Sequence, residues 1–177
     1  MNDAELTQRL RDTIRDIADF PKPGIVFKDI TPVLRDAKLF GLATAAMAKP
    51  FRDERITHVV AIESRGFIFG APIAQTLGAA FVPMRKPGKL PYITEREQYD
   101  LEYGKDALEV HRDALASDAR ALIVDDVLAT GGTAGAACRL AERFGVRVVA
   151  CSFLIELGFL NGRKKLGSRD IHALVSY

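Results

Sequence analysis

This sequence predicts an α/β fold with a mostly parallel central sheet, and three observations support that expectation. Two short apolar runs suited to buried strands, Thr57 to Ile62 and Ala121 to Val124, each lead into a glycine-bearing turn and then an apolar stretch at helical spacing. The order strand, turn, helix, strand recurs along the chain, and such alternation calls for parallel pairing with helical crossovers. The length of 177 residues, 48% hydrophobic and 27% charged, suits one domain (1–177) with a substantial core.

In chain order, Leu6, Leu10, Ile14 and Ile17 step by four, four and three, so an amphipathic helix is expected to end just before Phe20-Pro21. Pro21, Pro23 and Gly24 then stiffen and turn the chain, leaving Ile25 to Ile30 as a loop or short strand. Asp36 is a suitable cap for a helix reaching Met47, before Pro50. The first core strand, Thr57 to Ile62, is followed by Glu63-Ser64-Arg65-Gly66. A helix carrying Ile73 and Leu77 comes next, with Gly78 as its stop, and then a strand over Ala79 to Met84.

Pro87 to Lys105 is polar, charged and poor in periodicity, which predicts a long loop. Tyr99 to Tyr103 and Leu108 to His111 are able to pair as a hairpin at its base. Loops approaching twenty residues inside a compact domain are commonly functional, so an active-site lid is expected over about residues 87–105. Strands at 121–125 and 146–155 bracket a helix at 133–144 and complete the pattern.

Whole-chain properties narrow the function. A net charge of +2 is too small to imply a nucleic-acid partner, and the basic clusters Arg85 to Lys89 and Arg163 to Lys165 fit local anions better. No stretch approaches the roughly 18 apolar residues of a membrane helix and the N-terminus has no apolar signal core, so no membrane partner and a cytoplasmic location are expected. Cys138 and Cys151 form no C-x-x-C pair and read as small buried hydrophobes in a reducing compartment. His58, His111 and His172 are scattered and suggest no metal site.

The most informative stretch is Leu122-Ile-Val-Asp-Asp-Val-Leu-Ala-Thr-Gly-Gly-Thr133, which joins a strand, an acidic pair and a hydroxyl- and glycine-rich turn that opens a helix. Helix starts offer unpaired N–H groups and the positive end of the dipole, and Gly131 and Gly132 allow a phosphate to approach without a Cβ in the way. Thr130 and Thr133 add hydroxyl donors. The string lacks the lysine of a P-loop and the spacing of a dinucleotide fingerprint. Asp125 and Asp126, at the carboxyl end of the strand, are instead placed to accept hydrogen bonds from vicinal ribose hydroxyls, which together with the phosphate cradle describes a ribose 5-phosphate. Taken alone, the two acids would read as a solvated strand end.

Val124 to Thr133 resembles the phosphoribosyl-pyrophosphate motif of the type I phosphoribosyltransferase family, in its adenine-using branch. The resemblance covers nearly the whole chain, through Phe20 to Ile30, Glu63 to Phe67, Arg85 to Pro91, Leu101 to Lys105 and Glu156-Leu157. It implies a five-stranded parallel core flanked by helices, an N-terminal hood over about residues 1–34, and a long flexible active-site loop. The implied reaction joins adenine N9 to C1 of phosphoribosyl pyrophosphate, giving AMP and pyrophosphate. The alternatives are transfer to another base, or a regulator that senses phosphoribosyl pyrophosphate without catalysis.

By the same resemblance, Asp125 and Asp126 hold the ribose hydroxyls, and Ala129, Thr130, Gly131, Gly132 and Thr133 hold the 5-phosphate. Ser64, Arg65 and Gly66 form the pyrophosphate loop, joined by Arg85, Lys86 and Lys89. Val26, Phe27 and Lys28 recognise adenine with Leu157 packed on the base, although Phe27 and Leu157 equally suit ordinary core positions. Several relatives carry arginine where this chain has Lys28. Glu102 is the lid carboxylate that handles the adenine proton, unless it merely solubilises the loop, and Tyr103 seats the lid. Mg²⁺ is expected to arrive with the substrate, with no dedicated protein ligands beyond Asp125 and Asp126 through water. A homodimer is the family expectation.

Overall fold

The computed structural model describes residues 2–101 and 104–177. The chain forms two compact units, Met1–Ala46 and Met47–Tyr177.

In the first unit, helix α1 (Asp3–Thr13) opens with reciprocal capping: the Asn2 side chain accepts from the Glu5 N–H at 2.9 Å, and the Glu5 carboxylate accepts from the Asn2 N–H at 3.0 Å. The helix ends earlier than Ile17 suggests. Residues 15–18 form strand β1 (Arg15–Ala18), antiparallel to β2 (Val26–Asp29), with Ile17 opposite Phe27. Two cross-strand ion pairs, Arg15 with Asp29 and Lys28 with Asp16, hold this register, so Ile17 falls at helical spacing by coincidence and stays exposed. A short helix α2 (Thr31–Arg35), absent from the sequence reading, follows. The Asp36 carboxylate then accepts from the Leu39 N–H at 3.0 Å and caps α3 (Ala37–Ala48).

The second unit is built on strands β3 (His58–Ile62), β4 (Ala80–Met84), β7 (Arg120–Leu128), β8 (Arg147–Glu156) and β9 (Asp170–Ser176). They pair in parallel in the order β4-β3-β7-β8-β9. Helix α4 (Arg65–Leu77) joins β3 to β4 and ends on Gly78 in the left-handed conformation; helix α5 (Gly132–Glu142) joins β7 to β8. Burial accounts for the near-continuous apolar runs: Val59, Val60, Ala61 and Ile62 of β3 and Ala121 to Val124 of β7 are all sealed from solvent. From β3 the chain moves to β4 on one side, and from β7 to β8 on the other. The strand order therefore reverses between β3 and β7, and ligands in open α/β sheets bind beyond the carboxyl ends of strands at such a point.

The segment expected to be a loop without periodicity is mostly a hairpin. Strands β5 (Thr94–Leu101) and β6 (Gly104–His111) pair antiparallel along their full lengths, from Thr94 opposite His111 to Leu101 opposite Gly104. Alternation was hidden because the inward positions of β5 are polar: Glu97 and Tyr99 are buried, and Glu97 faces Arg139 of α5 and Arg143 at its C-cap. An ion-paired face gives no hydrophobic period to read.

Candidate active site

The carboxyl ends of β3 and β7 carry the two motifs. β7 runs on to Leu128, so Asp125 and Asp126 lie within the strand and not at its last residue. The half-buried Asp125 packs against the start of α4, where a Cβ on Gly66 would stand 2.9 Å from both Asp125 Oδ1 and the Val124 carbonyl. Only glycine lets the helix begin this close to the strand. Burial, reinforced by the neighbouring Asp126 charge, pushes the Asp125 carboxyl well above the ordinary carboxylate range. The buried Asp126 accepts a charge-assisted hydrogen bond from Arg65 Nε. Ser64 occupies the N-cap of α4, and the Glu63–Ser64 peptide is cis.

Glu63 organises the cationic side of the site, and sequence reasoning left it out of the candidates. Its carboxylate accepts from Arg85 Nε and Nη2, each at 3.3 Å, from the Lys86 N–H at 2.9 Å, and from Lys89 Nζ. Burial alone would raise its pKa, but the bonds from Lys89, the Lys86 amide and Arg85 outweigh it and hold the value at about 2. The signal was available: an acid at a strand end in a chain whose next strand leads into Arg85-Lys86-Pro87-Gly88-Lys89. Two further residues were missed. Asp106 accepts from Lys86 Nζ, and Glu109 accepts from the Gly88 N–H at 3.1 Å, both from β6.

The turn after β7 is held by backbone. Gly131 adopts φ 77° at the N-cap of α5, and a Cβ there would meet the Gly162 carbonyl oxygen at 2.2 Å. A Cβ on Gly162 would in turn stand 2.2 Å from the Ala129 carbonyl oxygen. Around Gly132 the space is ordinary, with Asp100 O at 3.5 Å and the Tyr99 ring at 3.6 Å from a built Cβ. At this turn the protein's own steric demand for glycine thus falls on Gly131 and Gly162 and not on Gly132. Thr133 Oγ1 donates to Tyr99 Oη at 3.3 Å, bringing the hairpin against the helix opening.

Ser64, Arg65, Gly66, Arg85, Lys86 and Lys89 therefore share one neighbourhood with Asp125, Asp126 and the 129–133 turn. Leu157, half-buried, donates its N–H to the Leu128 carbonyl next to that turn.

Comparison with known proteins gives this layout a family. Residues 33–174 match the model of the phosphoribosyl transferase domain. A protein of an Anaeromyxobacter species named adenine phosphoribosyltransferase is 57% identical over 170 residues, covering 96% of each chain. The chain belongs to the adenine phosphoribosyltransferase family. The crystal structure of the family member from Rhodothermus marinus superposes with a TM-score of 0.94 at 53% identity, covering 98% of this chain and 99% of its own. The Saccharomyces cerevisiae member, solved with an imino-altritol bisphosphate and adenine, gives 0.90 at 38% identity, covering 97% and 99%.

Of the residues expected to recognise the base, Val26, Phe27 and Lys28 lie in the first unit. Val26 is exposed, the Phe27 ring packs edge-on to Phe20 at 5.2 Å, and Lys28 Nζ bonds Asp16 at 2.6 Å. Glu102 and Tyr103 lie outside the described residues. No group of three His, Cys, Asp or Glu side chains is placed to hold a metal among the described residues. Cys138 and Cys151 are buried and free, with sulfurs 3.6 Å apart. No helix among the described residues is long and apolar enough to cross a membrane.

Proposed function

We propose that this chain transfers the 5-phosphoribosyl group from phosphoribosyl pyrophosphate to adenine, giving AMP and pyrophosphate. The observation that carries the reading is the pairing of a cation group with an acidic pair and a helix opening at the point where the strand order reverses. The names of close, full-length relatives support adenine as the base.

In this reading Ala129 to Thr133 bind the 5-phosphate through amides and hydroxyls at the start of α5. Asp125 and Asp126 hold the ribose hydroxyls, and the Asp126 charge favours the positive charge that develops at C1. Arg65, Arg85, Lys86 and Lys89, with Ser64 and Gly66, receive the pyrophosphate. Three of these cations have a carboxylate partner in Glu63 or Asp106 and the fourth in Asp126. Val26, Phe27 and Lys28, with Leu157, recognise adenine. Glu102 takes the N9 proton under a lid seated by Tyr103, where loss of water raises the basicity of its carboxylate.

The hard oxygen donors of Asp125 and Asp126 suit Mg²⁺, which is commonly held by one or two carboxylates plus substrate phosphates. Bound there with phosphoribosyl pyrophosphate, it would offset charge on the leaving group. A homodimer belongs to the same proposal. Edge strand β4 and helix α4 expose Phe81 and Ile68, and the Phe67 and Phe81 rings meet at 5.7 Å, an apolar flank suited to a second copy. A cytoplasmic setting fits the two free cysteines.

The test is pyrophosphate release by the purified protein with phosphoribosyl pyrophosphate, Mg²⁺ and each base in turn. Release with adenine alone is expected. Release with another base reassigns the base site, and binding without release under any base identifies a sensor.

A further inference from the structure

The Tyr99 hydroxyl makes three hydrogen bonds to three separate elements. It accepts from Lys86 Nζ at 2.7 Å, just after β4, and from Thr133 Oγ1 at 3.3 Å, in the first turn of α5; it donates to Asp106 Oδ2 at 3.2 Å on β6. The tyrosine is 5% exposed, and its ring lies 3.6 Å from the Cβ position of Gly132. One donor and two acceptor lone pairs are all that a phenol offers, so the hydroxyl is fully used. Its partners stand on the two sides of the site: Lys86 on the pyrophosphate side and Thr133 on the 5-phosphate side.

From this arrangement we infer that Tyr99 is a positioning residue that sets Lys86 and Thr133 together, so that the two phosphate-bearing ends of phosphoribosyl pyrophosphate meet a site of fixed span. The inference rests on the phosphoribosyltransferase reading above. Lysine and threonine side chains would otherwise each sample several rotamers. Asp106 alone does not fix Lys86, because one carboxylate bond leaves a four-carbon stem free to swing. The hydroxyl supplies the second anchor, and its bond to Thr133 selects the rotamer that keeps Oγ1 at the helix opening. Tyr99 also belongs to β5, so the hairpin is tied to both sides at once.

Tyr99→Phe isolates the hydroxyl. The ring stays packed, and the ring contact with Lys86, 5.3 Å from Nζ to centroid, is kept. Wild type, Tyr99→Phe and, as a control for losing a phenol, Tyr92→Phe are compared; Tyr92 is exposed and stacks edge-on to His111. Calorimetry measures ribose 5-phosphate and pyrophosphate binding separately, and steady-state kinetics give KM for each substrate. Tyr99→Phe is expected to weaken both ligands and raise KM for phosphoribosyl pyrophosphate by about 3- to 10-fold, the usual effect of one or two lost hydrogen bonds. Its kcat and its KM for adenine should match those of Tyr92→Phe. A lowered Tm with both affinities unchanged would overturn the inference and leave Tyr99 a packing residue. Weakening of only one ligand would equally overturn it, since Tyr99 would then serve one side alone. If the wild type fails to turn over adenine, the functional reading falls, while the two binding measurements still decide the role of Tyr99.

Discussion

Gly131 and Gly162 meet backbone to backbone: a Cβ on Gly131 would lie 2.2 Å from the Gly162 carbonyl oxygen. The turn that opens α5 is thus shaped by a segment 31 residues away. That segment is itself clamped, because Arg163 donates to both oxygens of Glu156, at 2.6 and 2.7 Å, at the end of β8. Gly162→Ala is expected to destabilise by about 1–3 kcal/mol, the range for overpacking against backbone. Thermal denaturation checks the stability, and AMP titration should show weaker binding because the amides of the turn are displaced. An unchanged Tm would mean that the segment yields easily and does not template the turn.

Gly132 gives the complementary test. A methyl group there finds ordinary van der Waals space in the protein, so Gly132→Ala should keep the wild-type Tm. Its methyl still projects at the helix opening, where a bound phosphate would sit. AMP affinity is expected to fall by about tenfold or more, equivalent to about 1.4 kcal/mol. Full AMP affinity in this folded variant would remove the phosphate from the start of α5.

Acid titration tests Glu63. Its folded pKa is about 2 against 4.5 in the unfolded chain, so its contribution to stability is complete above pH 4.5 and is lost as pH falls through 2. Glu63→Gln should therefore be less stable than wild type by a constant margin above about pH 5, and the margin should close between pH 4.5 and 2. Chemical denaturation across that range measures it. A margin that stays constant down to pH 2 would show that the carboxylate charge does not hold Arg85 and Lys89.

These residues show where the sequence was readable. Four of the five parallel strands and the helices α3, α4 and α5 were legible because burial on both sheet faces, the Asp36 cap and the Gly78 stop leave local marks, whereas β9 (Asp170–Ser176) was not read. Of the hairpin only a pairing at the base of the segment was expected; its full length was hidden, since Glu97 is buried through arginines more than forty positions away and only the fold reveals that pairing. The continuation of α1 failed for a related reason: Arg15–Asp29 and Asp16–Lys28 are cross-strand pairs, invisible to a helical count. In the site, glycines and acids beside strand ends could be read locally. Glu63 carried that same local mark and was passed over, whereas Asp106 and Tyr99 could not be read, because each acts by holding another candidate in place.

Glu102→Ala should lower kcat by on the order of 10²–10⁴, the range for loss of a positioned acid or base, while affinity for phosphoribosyl pyrophosphate changes little. Glu102 follows Leu101 in sequence and is remote in sequence from the turn after β7. Steady-state kinetics with adenine provide the check, and a variant with nearly normal kcat would make Glu102 a solvated loop residue.

Base choice is the remaining test. Adenine offers an exocyclic amine donor beside the N1 acceptor, whereas hypoxanthine presents a carbonyl acceptor beside an N1–H donor, so the two patterns are inverted. A site whose backbone C=O and N–H groups near Val26 complement adenine would leave both unpaired against hypoxanthine. Preference for adenine should then be on the order of 10⁴ in kcat/KM, the scale seen when buried polar groups lose their partners. Lys28 Nζ is held at 2.6 Å by Asp16 across the β1–β2 ribbon, so its charge is engaged away from the backbone edge. Lys28→Arg should retain that ion pair and leave the ratio of adenine to hypoxanthine turnover within about threefold, less than one hydrogen bond's worth. Competition between the two bases in one assay measures the ratio directly. A large shift in Lys28→Arg would assign base selection to the side chain, and comparable turnover of both bases by the wild type would remove adenine as the preferred substrate.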